Sequence, residues 1–357
     1  MEPLTPARLS SWRRLSVIVV IVLLVCIAAG SFYLHRVLYQ PLIGSADPLL
    51  VIVKPGDTPG LVLQRLEKDG HLVHSRALRI WARFQDRSRL HAGEYEIPVG
   101  APAVEVISKL LSGRTVQRSF VIIEGWNIHQ LRVALAQETR LRDETGALSD
   151  AALMARLGKP GLHPEGRFAP DTYFFSPHSS SDFDLLRRAF VEQERRLAVA
   201  WAERAADLPY RNAEALLIMA SIVEKETGLA SERPAIAGVF VRRLKIGMRL
   251  QTDPTVIYGL GAAYTGNITR AHLLQPTPWN TYMIDGLPPT PIAMPGAAAL
   301  KAAAHPADGT ALYFVGRGDG SHQFSSTFEA HNAAVREYQL RRRADYRSAP
   351  APDRVAP

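Results

Sequence analysis

Twenty consecutive residues without a charge, Leu15 to Leu34, constrain this chain more than any other feature. They read LSVIVVIVLLVCIAAGSFYL, and at ~1.5 Å per residue a helix of that length crosses a ~30 Å hydrocarbon core. Arg8, Arg13 and Arg14 precede the run against Glu2 alone, which keeps residues 1–14 on the cytoplasmic side and makes residues 15–34 a single-pass inner-membrane anchor. A cleaved secretory signal is the competing reading, because Ala28, Ala29 and Gly30 are small. The apolar stretch, however, exceeds the usual ~7 to 15 residue core of such signals. On either reading the rest of the chain works outside the cytoplasm. The single cysteine, Cys26, lies inside the run, so intrachain disulfides and zinc sites built on several thiolates are excluded. The net charge of +8 then suits a membrane surface or an acidic polymer of the cell exterior, and nucleic acid is not an expected partner.

The remainder of the 357 residues has the mixed patterning of an α+β fold. Residues 35–48 turn to Pro, Gly, Ser and Asp and read as a stalk, and residues 49–136 read as a small α+β region. Leu49 to Val53 is strand-like, Lys54-Pro55-Gly56-Asp57 turns, and Thr58 caps a helix carrying Leu61, Val62 and Leu66 that stops at Gly70. A strand over Ala92 to Pro98, a helix over Ala103 to Leu111 and a second strand-turn-helix over Phe120 to Ala136 follow. The string Val53-Lys54-Pro55-Gly56-Asp57-Thr58 resembles the start of a LysM motif, a small module that binds N-acetylglucosamine polymers; the second half of that motif is not recognisable. Residues 137–344 are expected to form a larger, mainly helical α+β catalytic domain. Within it, residues 137–160 read as polar helix and Asp182 to Arg204 as a helix burying Phe183, Leu186, Phe190 and Leu197. The Arg-, Ala- and Pro-rich tail 345–357 reads as disordered.

Chemistry concentrates in Asn212 to Gly228, NAEALLIMASIVEKETG. Asn212 is a good N-cap, no Gly or Pro interrupts Ala213 to Thr227, and Gly228 sits where a helix commonly ends. At 100° per residue Glu214, Ser221 and Lys225 form a polar stripe opposite Leu216, Met219, Ala220 and Val223, with Glu224 and Glu226 on the two edges. One turn back Glu226 meets Ile222 and Val223, whereas Glu224 meets Ala220 and Ser221. Apolar surroundings and the negative end of the helix dipole both favour a protonated Glu226, as donation to a leaving glycosidic oxygen requires. A surface Glu226 paired with Arg233 is the plain alternative. Downstream, six prolines between Pro276 and Pro295 preclude a regular element, and polar and aromatic residues on stiff loops suit a loop-lined saccharide groove.

Several strings together resemble the membrane-bound endolytic murein transglycosylases, the MltG or YceG-like family. They are Glu165-Gly166 with Pro170-Asp171-Thr172-Tyr173, Ala220 to Thr227, Leu250 to Tyr258, Asn280 to Tyr282, and His322 to Asn332. The resemblance places the family's catalytic glutamate on Glu226. It implies cleavage of the β-1,4 bond after N-acetylmuramic acid within a strand, leaving a 1,6-anhydro end. It also implies peptidoglycan as substrate, no cofactor, and partnership with penicillin-binding proteins of the elongation machinery. Gln251, Asp253, Asn280 and Tyr282 are candidates to contact the glycan, and each can instead stabilise a loop. One carboxyl acting in turn as acid and base needs no second carboxylate, whereas a muramidase-type hydrolase needs a pair, for which Asp253 and Asp171 are the candidates. A non-catalytic wall-binding scaffold is the third reading. Metal-dependent and serine chemistry are disfavoured, since neither His-Glu-x-x-His nor Gly-x-Ser-x-Gly occurs.

Overall fold

A computed structural model describes residues 11–43, 47–84 and 90–340. The start of the cytoplasmic tail, the middle of the stalk and the tail 345–357 lie outside the described residues. The chain divides into two compact units, one running to Arg118 and taking in Ser176–Ser179, the other taking in Ser119–Phe175 and the chain from Ser180.

The first unit begins with α1 (Ser11–Tyr39), whose Leu15–Tyr39 stretch is long and apolar enough to cross a membrane. The stalk expected from Gly, Pro and Ser content therefore starts later than residue 35. Helix continues because Val37 and Leu38 are buried in the unit's core, and Leu34 packs against it. Beyond it the backbone is held by Ala103 N–H to Gln40 O at 3.2 Å and Leu42 N–H to Ala101 O at 3.0 Å.

Next come β1 (Leu49–Val53), α2 (Pro59–Lys68), α3 (Ser75–Phe84), β2 (Gly93–Ile97) and α4 (Ala103–Ser112). β1 pairs antiparallel with β2, Val51 opposite Tyr95, and turns Val51 and Val53 inward. The turn between β1 and α2 is built by side chains, as its sequence predicts. The Asp57 carboxylate accepts Lys54 N–H at 2.9 Å, the Thr58 hydroxyl oxygen accepts Leu61 N–H at 3.3 Å, and Pro59 occupies the first turn where a missing N–H costs nothing. Gly93 is required where it stands, because its φ is +144° and a Cβ would lie 2.6 Å from Thr115 Cγ2.

The second unit has β3 (Arg118–Ile122), α5 (Ile128–Gln137), α6 (Asp150–Arg156), β4 (Asp171–Phe175), α7 (Asp182–Ala202), α8 (Ala213–Glu226), α9 (Arg233–Lys245), α10 (Asp253–Leu260), α11 (Arg270–Leu274), α12 (Ala297–Ala304), β5 (Tyr313–Gly316), β6 (His322–Ser325) and α13 (Phe328–Val335). The boundary at residue 118 corrects the one expected at 136. Phe120, Ile122, Ile128, Leu131 and Leu135 share a core with Phe168, Phe175 and Phe190 of the later chain, so the second strand-turn-helix is part of this unit. Of residues 137–160, only Gln137, which ends α5, and Asp150–Arg156 are α-helical. No helix or strand occurs between Gln275 and Gly296, as the prolines require. A second core joins α8, α9 and α12 through Leu216, Met219, Ile236, Phe240, Leu300 and Ala303, and it fixes the helix that carries Glu226.

Candidate active site

Helix α8 begins as its sequence predicts, with the Asn212 Oδ1 accepting Ala215 N–H at 3.0 Å, and ends at Glu226. The polar stripe is not a solvated face. Ser221 is fully buried, donating to Ile218 O at 2.7 Å and accepting Ile292 N–H at 3.0 Å. Lys225 donates to Gly125 O at 3.2 Å, and Glu214 pairs with Arg167. Polar groups here tie α8 to backbone segments far away in sequence, a role that helical periodicity does not reveal.

The two glutamates near the helix end have different partners. Glu224 accepts Gly296 N–H at 2.9 Å and pairs with Arg233 at 2.9 Å, although burial still raises its pKa. Arg233 is thus the partner of Glu224 rather than of Glu226. The Glu226 carboxyl faces a cleft of about 410 Å³ and has one hydrogen bond, received from the Thr252 hydroxyl. Burial is the largest influence and pushes its pKa up to about 7; the Thr252 bond and the Arg243 charge pull it down, and the Asp253 charge pushes it further up. A carboxyl of this kind is protonated and deprotonated in comparable amounts near neutral pH, as a group that first gives and then takes a proton must be.

The start of α10 brings Gln251, Thr252 and Asp253 to the cleft, and Tyr282 joins them through its hydroxyl, which donates to Asp253 Oδ1 at 2.7 Å. Asn280 does not. It is fully buried, and its Nδ2 donates to the carbonyls of His272, Leu273 and Gln275 at 3.2, 3.1 and 2.7 Å. Its expected contact with glycan is therefore corrected to a loop-holding role: the side-chain amide donates to carbonyls at the C-terminal end of α11, where a helix leaves carbonyls without intrahelical partners. Asp171 lies outside the cleft lining and pairs with Arg196 at 2.6 Å. Asp253 alone of the two carboxylates considered for a hydrolytic pair is beside Glu226.

The opposite wall was not assigned from sequence. Arg243 on α9 donates to Leu312 O at 2.7 Å and Leu250 O at 2.5 Å, and its guanidinium lies 5.3 Å from the Tyr313 ring centroid. Tyr313 and Phe314 of β5, His322 of β6 and His331 of α13 complete an aromatic surface, and His322 is fixed by Glu232 at 2.7 Å. Four elements converge here, and of their residues only the string His322 to Asn332 stood out locally. Among the described residues no group of three or more His, Cys, Asp or Glu side chains is arranged to hold a metal. The cleft offers one titrating carboxyl, a hydroxyl donor, an adjacent carboxylate and aromatic faces, a set suited to acid-base cleavage of a sugar-oxygen bond.

Relatives share this chain over most of its length. A protein named endolytic murein transglycosylase from Bacillus subtilis (strain 168) is 30% identical over 330 residues, covering 87% of this chain and 91% of the relative. Another of that name from Streptococcus pneumoniae strain R6 is 23% identical over 361 residues, covering 90% of this chain and 65% of its own length. The 2.6 Å crystal structure of a YceG-like protein from Listeria monocytogenes matches with a TM-score of 0.53 and 28% identity, over 81% of this chain and 99% of that one. The YceG-like family matches residues 51–337. With four-fifths of its length matched, and with the glutamate-bearing helix and the cleft inside that span, the chain belongs to the YceG-like family.

Proposed function

We propose that this protein is an endolytic peptidoglycan lytic transglycosylase that cuts the β-1,4 bond between N-acetylmuramic acid and N-acetylglucosamine within a strand. The observation that carries the reading is the Glu226 carboxyl, held near a pKa of 7 at the wall of an open cleft in a chain 30% identical to a protein of that name. Protonated Glu226 gives its proton to the glycosidic oxygen as the bond to C1 breaks. The carboxylate then takes the proton of the muramyl 6-hydroxyl as that oxygen closes on C1, leaving a 1,6-anhydro end. Gln251, Asp253 and Tyr282 line the path of the glycan, and the aromatic wall of Tyr313, Phe314 and His331 offers faces on which sugar rings stack.

In the same proposal α1 anchors the protein in the inner membrane with its N-terminus cytoplasmic, so that both units act outside it on nascent strands, alongside penicillin-binding proteins. The β1-α2-α3-β2 arrangement, which completes the LysM-like opening with a second helix and strand, supports the first unit as a glycan-holding module. Mass spectrometry of peptidoglycan digested by the full-length protein tests the reaction. Anhydromuramoyl ends are expected from the parent and none from Glu226→Gln; reducing muramic acid ends would identify a hydrolase, and no released product a scaffold.

A further inference from the structure

We propose that Thr252 is a positioning residue that assigns both proton transfers to a single oxygen of Glu226, Oε2. The inference rests on the reading of Glu226 as the catalytic acid. Thr252 occupies the N-cap of α10, where a threonine ordinarily turns its hydroxyl onto the free N–H groups of the first helical turn. Here it makes no such bond, and its hydroxyl donates to Glu226 Oε1 instead. Pro254 in the first turn removes one of the N–H groups that would otherwise compete for it.

The surrounding backbone is built to keep that orientation. Thr252 N–H donates to the Thr281 hydroxyl oxygen at 3.0 Å, and Thr252 C=O accepts the Thr255 hydroxyl at 2.7 Å. The Thr255 and Thr281 hydroxyls are 2.8 Å apart, and each of the three threonines is buried. Since the Thr255 proton goes to Thr252 C=O, the Thr281 proton must go to Thr255, and every hydroxyl has one defined direction. Immediately before, Gln251 stands at φ +48°, a conformation that side chains other than glycine adopt rarely, with its N–H donating to Thr281 O at 3.2 Å. The chain is turned over at Gln251, clamped at Thr252 from both sides, and its hydroxyl is aimed at the acid.

A carboxyl that accepts a hydroxyl proton on Oε1 keeps its own proton on Oε2. In the cleavage step the Oε2–H bond breaks, the proton joins the glycosidic oxygen, and that oxygen leaves with the electrons of its bond to C1. In the second step the 6-hydroxyl gives its proton back to Oε2 while its oxygen forms the bond to C1. Thr252 retains its proton throughout and holds Oε1 in both states. Without the hydroxyl either oxygen can carry the proton, and the transfer is no longer assigned to one of them.

Thr252→Val, which keeps the shape and removes the hydroxyl, tests this in the full-length protein, with Thr252→Ser as the rescue. Initial rates of anhydro-end formation on defined glycan strands are measured across neutral pH, with thermal unfolding as the check on folding. For Thr252→Val we expect kcat to fall at least about tenfold with KM little changed, and the loss of activity on raising pH to move to higher pH, because a donor that favours the carboxylate is gone. Thr252→Ser is expected to restore both. A Thr252→Val enzyme with the parent's kcat and unmoved pH limb overturns the assignment, as does a serine variant no better than the valine one. Thr252→Ala takes the place of Thr252→Val if the latter does not fold. An active Glu226→Gln would instead overturn the reading of Glu226; an inactive Glu226→Gln with an unaffected Thr252→Val overturns only the role of Thr252.

Discussion

Two glutamates of the second unit, Glu226 at the cleft wall and the fully buried Glu165, have pKa values pushed up by desolvation to the same value, about 7, in environments that differ in kind. Glu165 is fully buried, accepts Ile128 N–H at 3.1 Å on both oxygens, Gly166 N–H at 3.3 Å and the Tyr258 hydroxyl at 3.0 Å, and lies outside the cleft lining. Glu226 has one donor and an open side. The donors around Glu165 use up the acceptor capacity of its carboxylate and tie the start of α5 to α10, so its proton has nowhere useful to go. Perturbed acidity therefore marks both sites, and access to a cleft separates a carboxyl that can exchange its proton with a ligand from one that acts as a brace.

Paired substitutions put that distinction at risk. Glu226→Gln is expected to abolish anhydro-end formation while the thermal unfolding midpoint near neutral pH does not fall, whereas Glu165→Gln should leave strand cleavage detectable. Equal losses of cleavage in folded variants would erase the difference. Stability against pH gives the next largest effect. Above the ordinary carboxyl value of 4.5 the unfolded chain has released protons that the folded chain still holds on both groups. Their contribution is therefore full below that value and is lost as pH rises to about 7, by roughly 3 kcal/mol for each group. Denaturant unfolding of Glu165→Gln should show a shallower decline than the parent over this interval; an unchanged slope would mean that Glu165 is not held protonated.

Asn280→Ala is expected to cost about 2 kcal/mol of stability, because carbonyls at the C-terminal end of α11 lose a donor, with KM for glycan little altered. A large rise in KM without loss of stability would return Asn280 to the substrate site. The smallest effect is that of Asp253→Asn. Removing the neighbouring negative charge lowers the Glu226 pKa, so the fall in activity with rising pH should begin at a pH lower by less than about one unit. A shift to higher pH would contradict the electrostatics described.

Comparison of Ser221 with Asn212 shows what was legible in the sequence. Asn212, Thr58 and the six prolines act within a few residues of themselves, so caps, turns and the irregular loop were readable. Ser221 and Lys225 are satisfied by backbone groups brought from elsewhere in the chain, and Asn280 by carbonyls that an irregular turn folds back on it, and in a local pattern such residues look like surface. Thr252 was hidden for a related reason: Thr-Asp-Pro reads as an ordinary helix start, and only the fold shows that the hydroxyl is turned away from it. The boundary at Arg118 was missed because the segment from Phe120 to Leu135 supplies its own strand, turn and helix but shares its core with residues from Phe168 onward. Helix α8 was the exception, carrying its N-cap and a terminal carboxylate in one uninterrupted stretch.

If α1 is the anchor proposed above, its continuity into the core of the first unit gives it the mechanics of a post rather than a tether. With Leu15 to Leu34 in lipid, Val37 and Leu38 are within two turns of the bilayer surface and already part of a packed domain. A flexible leash would let that domain sweep a hemisphere; a rigid post leaves it two lateral coordinates and rotation about the membrane normal. On that proposal a glycan held by the first unit would be met at a set height, and the search for it would become a two-dimensional one.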